Sequence, residues 1–578
     1  MAHHPGNKAG GRAMEQYDHI IVGGGSAGSV LANRLSADPT RRVLLIEAGE
    51  DTPPGKVPPE VLDSFPGKAY LNPRFLWSEL RVTTEAMSHN RPGERPRLRR
   101  YEQARVLGGG SAINGQLANR GLPEDYAEWE ARGAQGWGWN DVLPFFRRVE
   151  ADQDFAGELH GTDGPIGVRR VFQDQWAEHA KVYSKVLSRT GLPYLPDQNG
   201  CFEDGHFPVP ISNVNDQRVT AAMGYLTAEV RARPNLRLLT RTQVTGLAFE
   251  GRRCTGVSST TGDFAAREVI LSSGAIHSPA HLLRAGIGPA AQLRTLGIPV
   301  LLDAPGVGQR LMDHPSIAVA SFIPPHARIN GRSARHIFLV LRFSSGVPGA
   351  PGGDMGATLS SKSAWHAVGD QIGTMNMWVN KTYSEAGTVT LSTPDWRAHP
   401  DVDFNLLSDR RDLERLMVSF RRFAALHALP ELQAVASDAF AASYSDKVRA
   451  VADMTLKNRL TTSILAKLLD GPAALRRKLI DSLIVEGDSL PTLMQDDDAL
   501  EAFVRKAAVG VWHASCTCRM GAEDDPMAVT DTQGRVRGVE GLRVCDASIF
   551  PVVPRANTNF PVMMAAEKVA AAMLEGSK

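Results

Sequence analysis

Asp18-His-Ile-Ile-Val-Gly-Gly-Gly-Ser-Ala-Gly-Ser-Val-Leu-Ala-Asn-Arg-Leu35, followed after a short polar link by Arg42-Val-Leu-Leu-Ile-Glu47, reads as strand, glycine turn, helix and second strand. Gly23, Gly25 and Gly28 stand in GxGxxG spacing directly after the apolar run Ile20-Ile21-Val22 and open a helical pattern. In that setting the three glycines have separate duties. Gly23 permits the tight turn, Gly25 lets backbone N–H groups approach a pyrophosphate, and Gly28 lets the helix pack on the strand. The helix start at Ser26 and Ala27 attracts phosphate charge. Glu47, 19 residues past Gly28, closes the unit with Ala48 behind it. A carboxylate there can accept both hydroxyls of an adenosine ribose and repels a 2′-phosphate.

The same loop also spells GxSxG through Gly24-Gly25-Ser26-Ala27-Gly28, the nucleophile elbow of α/β-hydrolases, with Ser26 as the nucleophile. A hydrolase elbow usually follows several strands and requires a downstream acid and histidine. Here the motif sits on the first strand and is answered by Glu47, which favours the dinucleotide reading.

The 578 residues carry 64 basic and 63 acidic side chains, a formal net charge of +1. This balance gives no global drive toward nucleic acid or an anionic membrane. The basic run Arg91 to Arg100 reads as a solvated loop. No apolar stretch approaches the roughly 20 residues of a membrane span. Residues 1–16, with His3 and His4, lack a signal-peptide core and read as a disordered, vector-like head, so a cytoplasmic protein is expected. Five cysteines (Cys201, Cys254, Cys516, Cys518 and Cys545) are too few and odd in number for a disulfide framework. Cys516-Thr517-Cys518 lies near His513, but no second cluster completes a four-ligand set, so no metal is expected.

Further along, Tyr101 to Gly121 forms a second glycine-rich loop through Gly108-Gly-Gly-Ser-Ala-Ile-Asn-Gly115. Strands are predicted at Leu236–Leu239, Val244–Phe249 and Glu268–Leu271, and a helix from Ser278-Pro279 to about Ala285 with proline in its first turn. Residues 334–405 read as a run of strands. Residues 408–508 read as charged helices broken at Gly471-Pro472.

Four separated blocks now carry a resemblance: the N-terminal fingerprint, Ala104 to Asn114, Gly274-Ala-Ile-His-Ser-Pro279 through Gly288, and His513 to Glu567. Over nearly its full length the chain resembles the glucose-methanol-choline (GMC) flavoprotein oxidoreductases. Trp512-His-Ala-Ser515, Asn405 and Trp378-Val-Asn-Lys381 are most similar to the 5-(hydroxymethyl)furfural oxidase and aryl-alcohol oxidase group. The resemblance implies an α/β fold in which a Rossmann-like FAD-binding domain (17–150, 225–320 and 505–578) is interleaved with an antiparallel-sheet substrate domain (151–224 and 321–504). It implies that Gly23, Gly25, Ser26, Ala27 and Gly28 hold pyrophosphate, Glu47 and Ala48 the ribose, and Val244 the adenine. Arg105, Gly109, Ser111, Asn114 and Gly115 would line the stretch toward the flavin, and Trp512, Asp546, Ala547 and Thr558 would close it. Ile113 stands where some relatives carry a flavin-linking histidine, so the FAD is expected to be non-covalent.

Oxidising an alcohol removes a hydride from carbon and a proton from oxygen, so a hydride acceptor and a base must meet at one substrate atom. Flavin N5 would be the acceptor and His513 the base, because an imidazole is partly neutral at working pH. Asn557 would hydrogen-bond the same hydroxyl without competing for its proton. Trp378, Val511 and Trp512 would form an apolar wall for a planar primary alcohol, aromatic or furanic. A helix starting near Pro561 would aim its positive end at the flavin. The partners expected are that alcohol and oxygen or a quinone-type electron acceptor.

A non-redox hydroxynitrile lyase on the same fold stays open, and the hydrolase is the remote alternative. A photodecarboxylase is disfavoured because His513 is retained. Three features depart from the family pattern: Cys516 in place of glycine, His281 and Ala285 in the second signature, and a long helical stretch at 443–490 that could lid the site or mediate oligomerisation.

Overall fold

The computed structural model describes residues 15–85, 98–329, 335–443 and 446–576. Residues 1–14 of the expected head and 91–97 of the basic run lie outside the described residues. Glu15 and Gln16, placed in that head by the sequence, begin the first strand, Glu15–Val22, because they pair with Phe264 and Ala265.

That strand is buried from Ile20 to Val22 and has parallel neighbours on both sides. Burial on both faces is why its sequence is continuously apolar rather than alternating. The sheet runs 236–239, 43–46, 15–22, 262–271, 253–259, 244–250. The strand Gly262–Leu271 does double service. Its first half pairs antiparallel with Arg253–Ser259, and its last residues pair parallel with Leu542–Val544 from the tail. Segments more than five hundred residues apart in sequence therefore share one core, in which the helices Ser26–Leu35 and Asn559–Glu575 pack together.

A second sheet is antiparallel, in the order 437–442, 315–322, 372–379, 355–360, 337–343, 205–208. The strand Pro315–Phe322 already belongs to it, running across the boundary expected at 320, because it pairs residue by residue with Ile372–Val379. Its first residues also pair with Val509 and Gly510, which brings residues 313–314 beside 511–513.

The helix expected from Ser278 runs instead from Gly274 to Arg284. Asp546 explains the earlier start: its carboxylate accepts from the Gly274 N–H at 2.8 Å and the Ser278 hydroxyl at 2.5 Å, holding the first turn. Pro279 lies inside the helix, not in its first turn. Between 408 and 508 the helices and the break at Gly471-Pro472 are present, together with a strand, Ser437–Ala442, that the charged pattern concealed.

At Gly28 a Cβ would collide with the carbonyl oxygen of Gly23. Gly28→Ala is expected to cost about 1–3 kcal/mol of stability, whereas Gly246→Ala, with open space at its Cβ position, should leave Tm unchanged. Thermal melting of the two variants checks this.

Candidate active site

Both glycine loops face one cavity of about 620 Å³. Its lining includes Gly23, Gly25, Ser26, Ala27, Glu47, Ala48, Arg105 and Val244, and also Val511, Trp512, His513, Asn557 and Thr558. Gly109, Asn114, Gly115, Asp546 and Ala547 line it as well. Residues drawn from five parts of the chain thus share one wall.

The loops approach backbone to backbone: a Cβ on Gly109 would stand 2.6 Å from the Gly25 Cα. Gly23, at φ +103°, lies in the left-handed region, and a Cβ there would meet the Ser272 carbonyl at 2.5 Å. Glu47 is buried, and its two oxygens accept from the Gly24 N–H at 2.8 Å and the Gly49 N–H at 2.7 Å. Burial raises its pKa against the pull of those donors. Buried Arg218, which the sequence reading missed, donates to the Asn114 carbonyl (2.6 Å) and side chain (2.9 Å) and to the Ser111 carbonyl (3.2 Å), clamping the second loop. A lone arginine after a turn gives no sequence signal for this.

Three expected site residues stand back from the cavity lining. Gly28 packs helix on strand. Ser111 spends its hydroxyl on the Gly108 carbonyl at 2.5 Å and accepts from the Ala221 N–H at 2.9 Å. Trp378, expected in the substrate wall, corrects that expectation. It pairs across the sheet with Gly356, its indole fills the space a Gly356 side chain would need, and its Nε1 donates to Asn380 at 3.2 Å. Val511 packs against the same cluster. Ser26 donates to the Asn559 amide oxygen at 2.7 Å, a partner that cannot take its proton, which removes the basis of the hydrolase reading.

His513 is placed by a carboxylate. Asp313 Oδ1 accepts from the N–H groups of His314 at 2.7 Å, His513 at 2.9 Å and Val511 at 3.2 Å, drawing the loop 511–513 around itself. Trp512 takes φ +61° as the loop bends, and its Nε1 donates to Glu102 at 3.1 Å.

The protonation pattern follows from one fixed donor. The Asn557 backbone N–H donates to Asn119 Oδ1 at 2.8 Å, so the Asn119 amide nitrogen must face Asn557 Oδ1, 3.0 Å away. The Asn557 amide nitrogen is then the group 3.1 Å from His513 Nε2, which makes Nε2 the acceptor. The proton sits on Nδ1, 2.8 Å from His314 Nδ1. Desolvation, reinforced by His314, holds the His513 pKa well below 6.5, so the ring is neutral at working pH. His314 itself is lowered to about 3 by burial. Asp313, His314 and Asn119 were not among the residues singled out in the sequence. Only Asn119, inside the second glycine block, lay near a recognised motif.

The cysteines Cys516 and Cys518 are buried thiols. Burial pushes the Cys516 thiol up to about 12, so it stands protonated. Cys516 has φ +76°, a conformation suited to glycine, so the cysteine keeps the backbone path a glycine would give.

A Rossmann-like sheet whose glycine turn opens into a cavity ending at a neutral imidazole defines an oxidoreductase of the dinucleotide-flavin type. Comparison with known proteins narrows this. The GMC oxidoreductase pattern matches residues 17–316 in its N-terminal part and 382–566 in its C-terminal part, and the chain belongs to that family of FAD-dependent alcohol oxidases and dehydrogenases. It is 44% identical to the 5-(hydroxymethyl)furfural oxidase of Methylovorus sp. (strain MP688), over 96% of this chain and 98% of that one. It is 32% identical to human mitochondrial choline dehydrogenase, covering 97% and 90%. The solved structure of pyridoxine 4-oxidase from Mesorbium loti superposes with a TM-score of 0.77 at 26% identity, covering 97% and 99%. The cavity fits FAD on its own geometry: a backbone cradle at Gly25 and Gly109 and an acidic residue at the end of the second strand are what a pyrophosphate and an adenosine ribose require.

Asp313 offers a pH test. Burial pushes its carboxyl from 3.8 up to about 7. The folded state therefore holds a proton that the unfolded state releases near 3.8, and the stability this contributes is lost as pH rises through about 7. Asp313→Asn keeps an acceptor oxygen and removes the titration, so its Tm relative to wild type should rise between about pH 5 and about pH 8. A constant difference across that range contradicts the assignment.

Proposed function

We propose that this chain oxidises a primary alcohol, aromatic or furanic, to the aldehyde, with non-covalently held FAD and with oxygen or a quinone-type acceptor taking the electrons. The observation that carries this reading is the pairing of a neutral, acceptor-oriented His513 Nε2 with the Asn557 amide in the wall of the glycine-lined cavity. Gly23, Gly25, Ser26 and Ala27 would hold the pyrophosphate, Glu47 and Ala48 the ribose, and Val244 the adenine. Ala547, Thr558 and the start of the helix Asn559–Glu575 would flank the flavin. Bound there, FAD supplies the hydride acceptor.

His513 and Asn557 then divide one task. A substrate hydroxyl entering between them donates to Nε2 and accepts from the amide N–H, which fixes the carbinol carbon in one orientation. His513 takes the hydroxyl proton as the C–H bond breaks. Its low affinity for protons keeps it free until negative charge develops on the oxygen, and the bond from Nδ1 to His314 holds the ring in place through the transfer. Trp512 and Val511 present the apolar surface for a planar substrate. Ile113, in the cavity wall, has no atom able to bond to a flavin, which supports dissociable cofactor.

The division of labour extends to the chain: 17–150, 225–320 and 505–578 mainly serve the cofactor, and 151–224 with 321–504 mainly cover the substrate, the strand Pro315–Phe322 and its partners Val509 and Gly510 crossing those bounds. The resemblance to a furfural oxidase and the apolar wall support an aromatic or furanic alcohol over a cationic one.

Anaerobic addition of benzyl alcohol or hydroxymethylfurfural should bleach the visible flavin band, and a band that persists with both overturns the substrate class. His513→Ala should retain FAD and slow flavin reduction roughly a hundredfold or more. Wild-type rates in that variant would remove the base assignment. Glu47→Ala should lower FAD occupancy after gel filtration while leaving the reduction rate of loaded molecules near wild type.

A further inference from the structure

The helix Leu456–Leu469 is apolar on two sides, one of them turned away from the protein. Thr462, Ala466 and Leu469 face inward, where Ala466 and Leu469 pack on Phe322, Ile372 and Phe440, and the Gln371 amide donates to the Ala466 carbonyl at 2.9 Å. Outward, at every fourth position, stand Leu456, Leu460, Ile464 and Leu468, exposed by 83%, 64%, 54% and 44%. At about 100° per residue these four fall in one arc opposite the buried face, and Lys457 and Lys467 fall in the same arc. One exposed leucine is ordinary, but a row of four on a helix that turns threonine and alanine inward marks a surface with an occupant. Val451 and Met454 before it, and Leu475 and Leu483 after it, are exposed as well.

The charge around the row identifies the occupant's chemistry. From Val451 to Leu483, the span of the exposed apolar residues, the basic residues are Lys457, Arg459, Lys467, Arg476, Arg477 and Lys478, and the acids are Asp453, Asp470 and Asp481; within the helix Leu456–Leu469 itself there are three basic residues and no acid. Asp470 pairs with Arg328, while Arg476 and Arg477 lean on Asp438. Among the described residues Lys457, Arg459, Lys467 and Lys478 have no ion-pair partner. The formal charge of +1 for the whole chain hides this local excess.

We propose that this helix seats the protein on an anionic lipid bilayer. The aliphatic row enters the boundary between headgroups and acyl chains, and Lys457 and Lys467 reach lipid phosphates from within the row. A second copy of the chain is the poorer occupant. Two such faces related by a twofold axis would press lysines of like charge together, whereas lipid phosphates neutralise them. The seat is tied to the cavity. Arg449, on the preceding helix, donates to the Arg100 carbonyl at 2.6 Å and stands 3.8 Å from Glu102, a residue of the cavity wall.

Sedimentation of the full-length holoprotein with vesicles tests this. The wild type should pellet with vesicles of phosphatidylcholine containing a quarter phosphatidylglycerol and stay in solution with phosphatidylcholine alone. Leu460→Glu with Ile464→Glu should weaken anionic-vesicle binding roughly tenfold or more, with Tm and alcohol oxidation unchanged. Lys457→Glu with Lys467→Glu should weaken it to a similar degree. Wild-type protein that stays in solution with anionic vesicles, or glutamate variants that bind as well as wild type, overturns the proposal. A wild-type dimer in sedimentation velocity that the leucine-row variant dissolves, without vesicle binding, assigns the face to a second copy instead.

Discussion

A single carboxylate oxygen, Asp313 Oδ1, gathers backbone N–H groups from two segments that lie 200 positions apart, and the location of His513 depends on it. The carboxyl is buried, and its second oxygen has no hydrogen-bond partner. Gly510 is needed beside it, because a Cβ there would overlap Asp313 Oδ2. Burying a polar group this deeply is costly unless its bonds are satisfied. Three charge-assisted bonds to one oxygen offset part of that cost. In exchange the loop carrying Trp512 and His513 is positioned by covalently fixed N–H groups rather than by flexible side chains.

From that hub the imidazole inherits a definite tautomer. The order runs from the Asn557 backbone through Asn119 and back to the Asn557 side chain, then across His513 to His314. Only the first donor is unambiguous, yet it settles every amide and ring after it. Neutral side chains thus define the proton positions around the His513 ring, while the Asp313 carboxyl beside it bonds the backbone and not the imidazole.

The glycine fingerprint and Glu47 were legible because local chemistry dictates them: tight backbone approaches admit only glycine, whatever packs around them. The tail block with His513 and Asn557 was legible through family resemblance alone, since nothing in Val511-Trp-His513 distinguishes a base from a core histidine. Asp313, His314, Asn119 and Arg218 were not, because their roles come from tertiary neighbours: the pairing of Pro315 with Gly510 creates the first two, and burial beneath the second glycine loop creates the last. Trp378 failed for a related reason. Its strand was expected, but the absence of a side chain on cross-strand Gly356 draws the ring onto the sheet. Cys516 shows the converse, a departure in sequence at a residue whose backbone is left-handed, at φ +76°.

The shared strand Gly262–Leu271 has a bearing on biosynthesis. Its partners are the first strand of the chain and Leu542–Val544 near the end, so the nascent N-terminal fingerprint leaves the ribosome long before its sheet can close. At ordinary elongation rates that interval is roughly half a minute or more. Once made, Val269, Ile270 and Leu271 keep one apolar edge unpaired until Leu542–Val544 has emerged, which makes that edge a natural chaperone target.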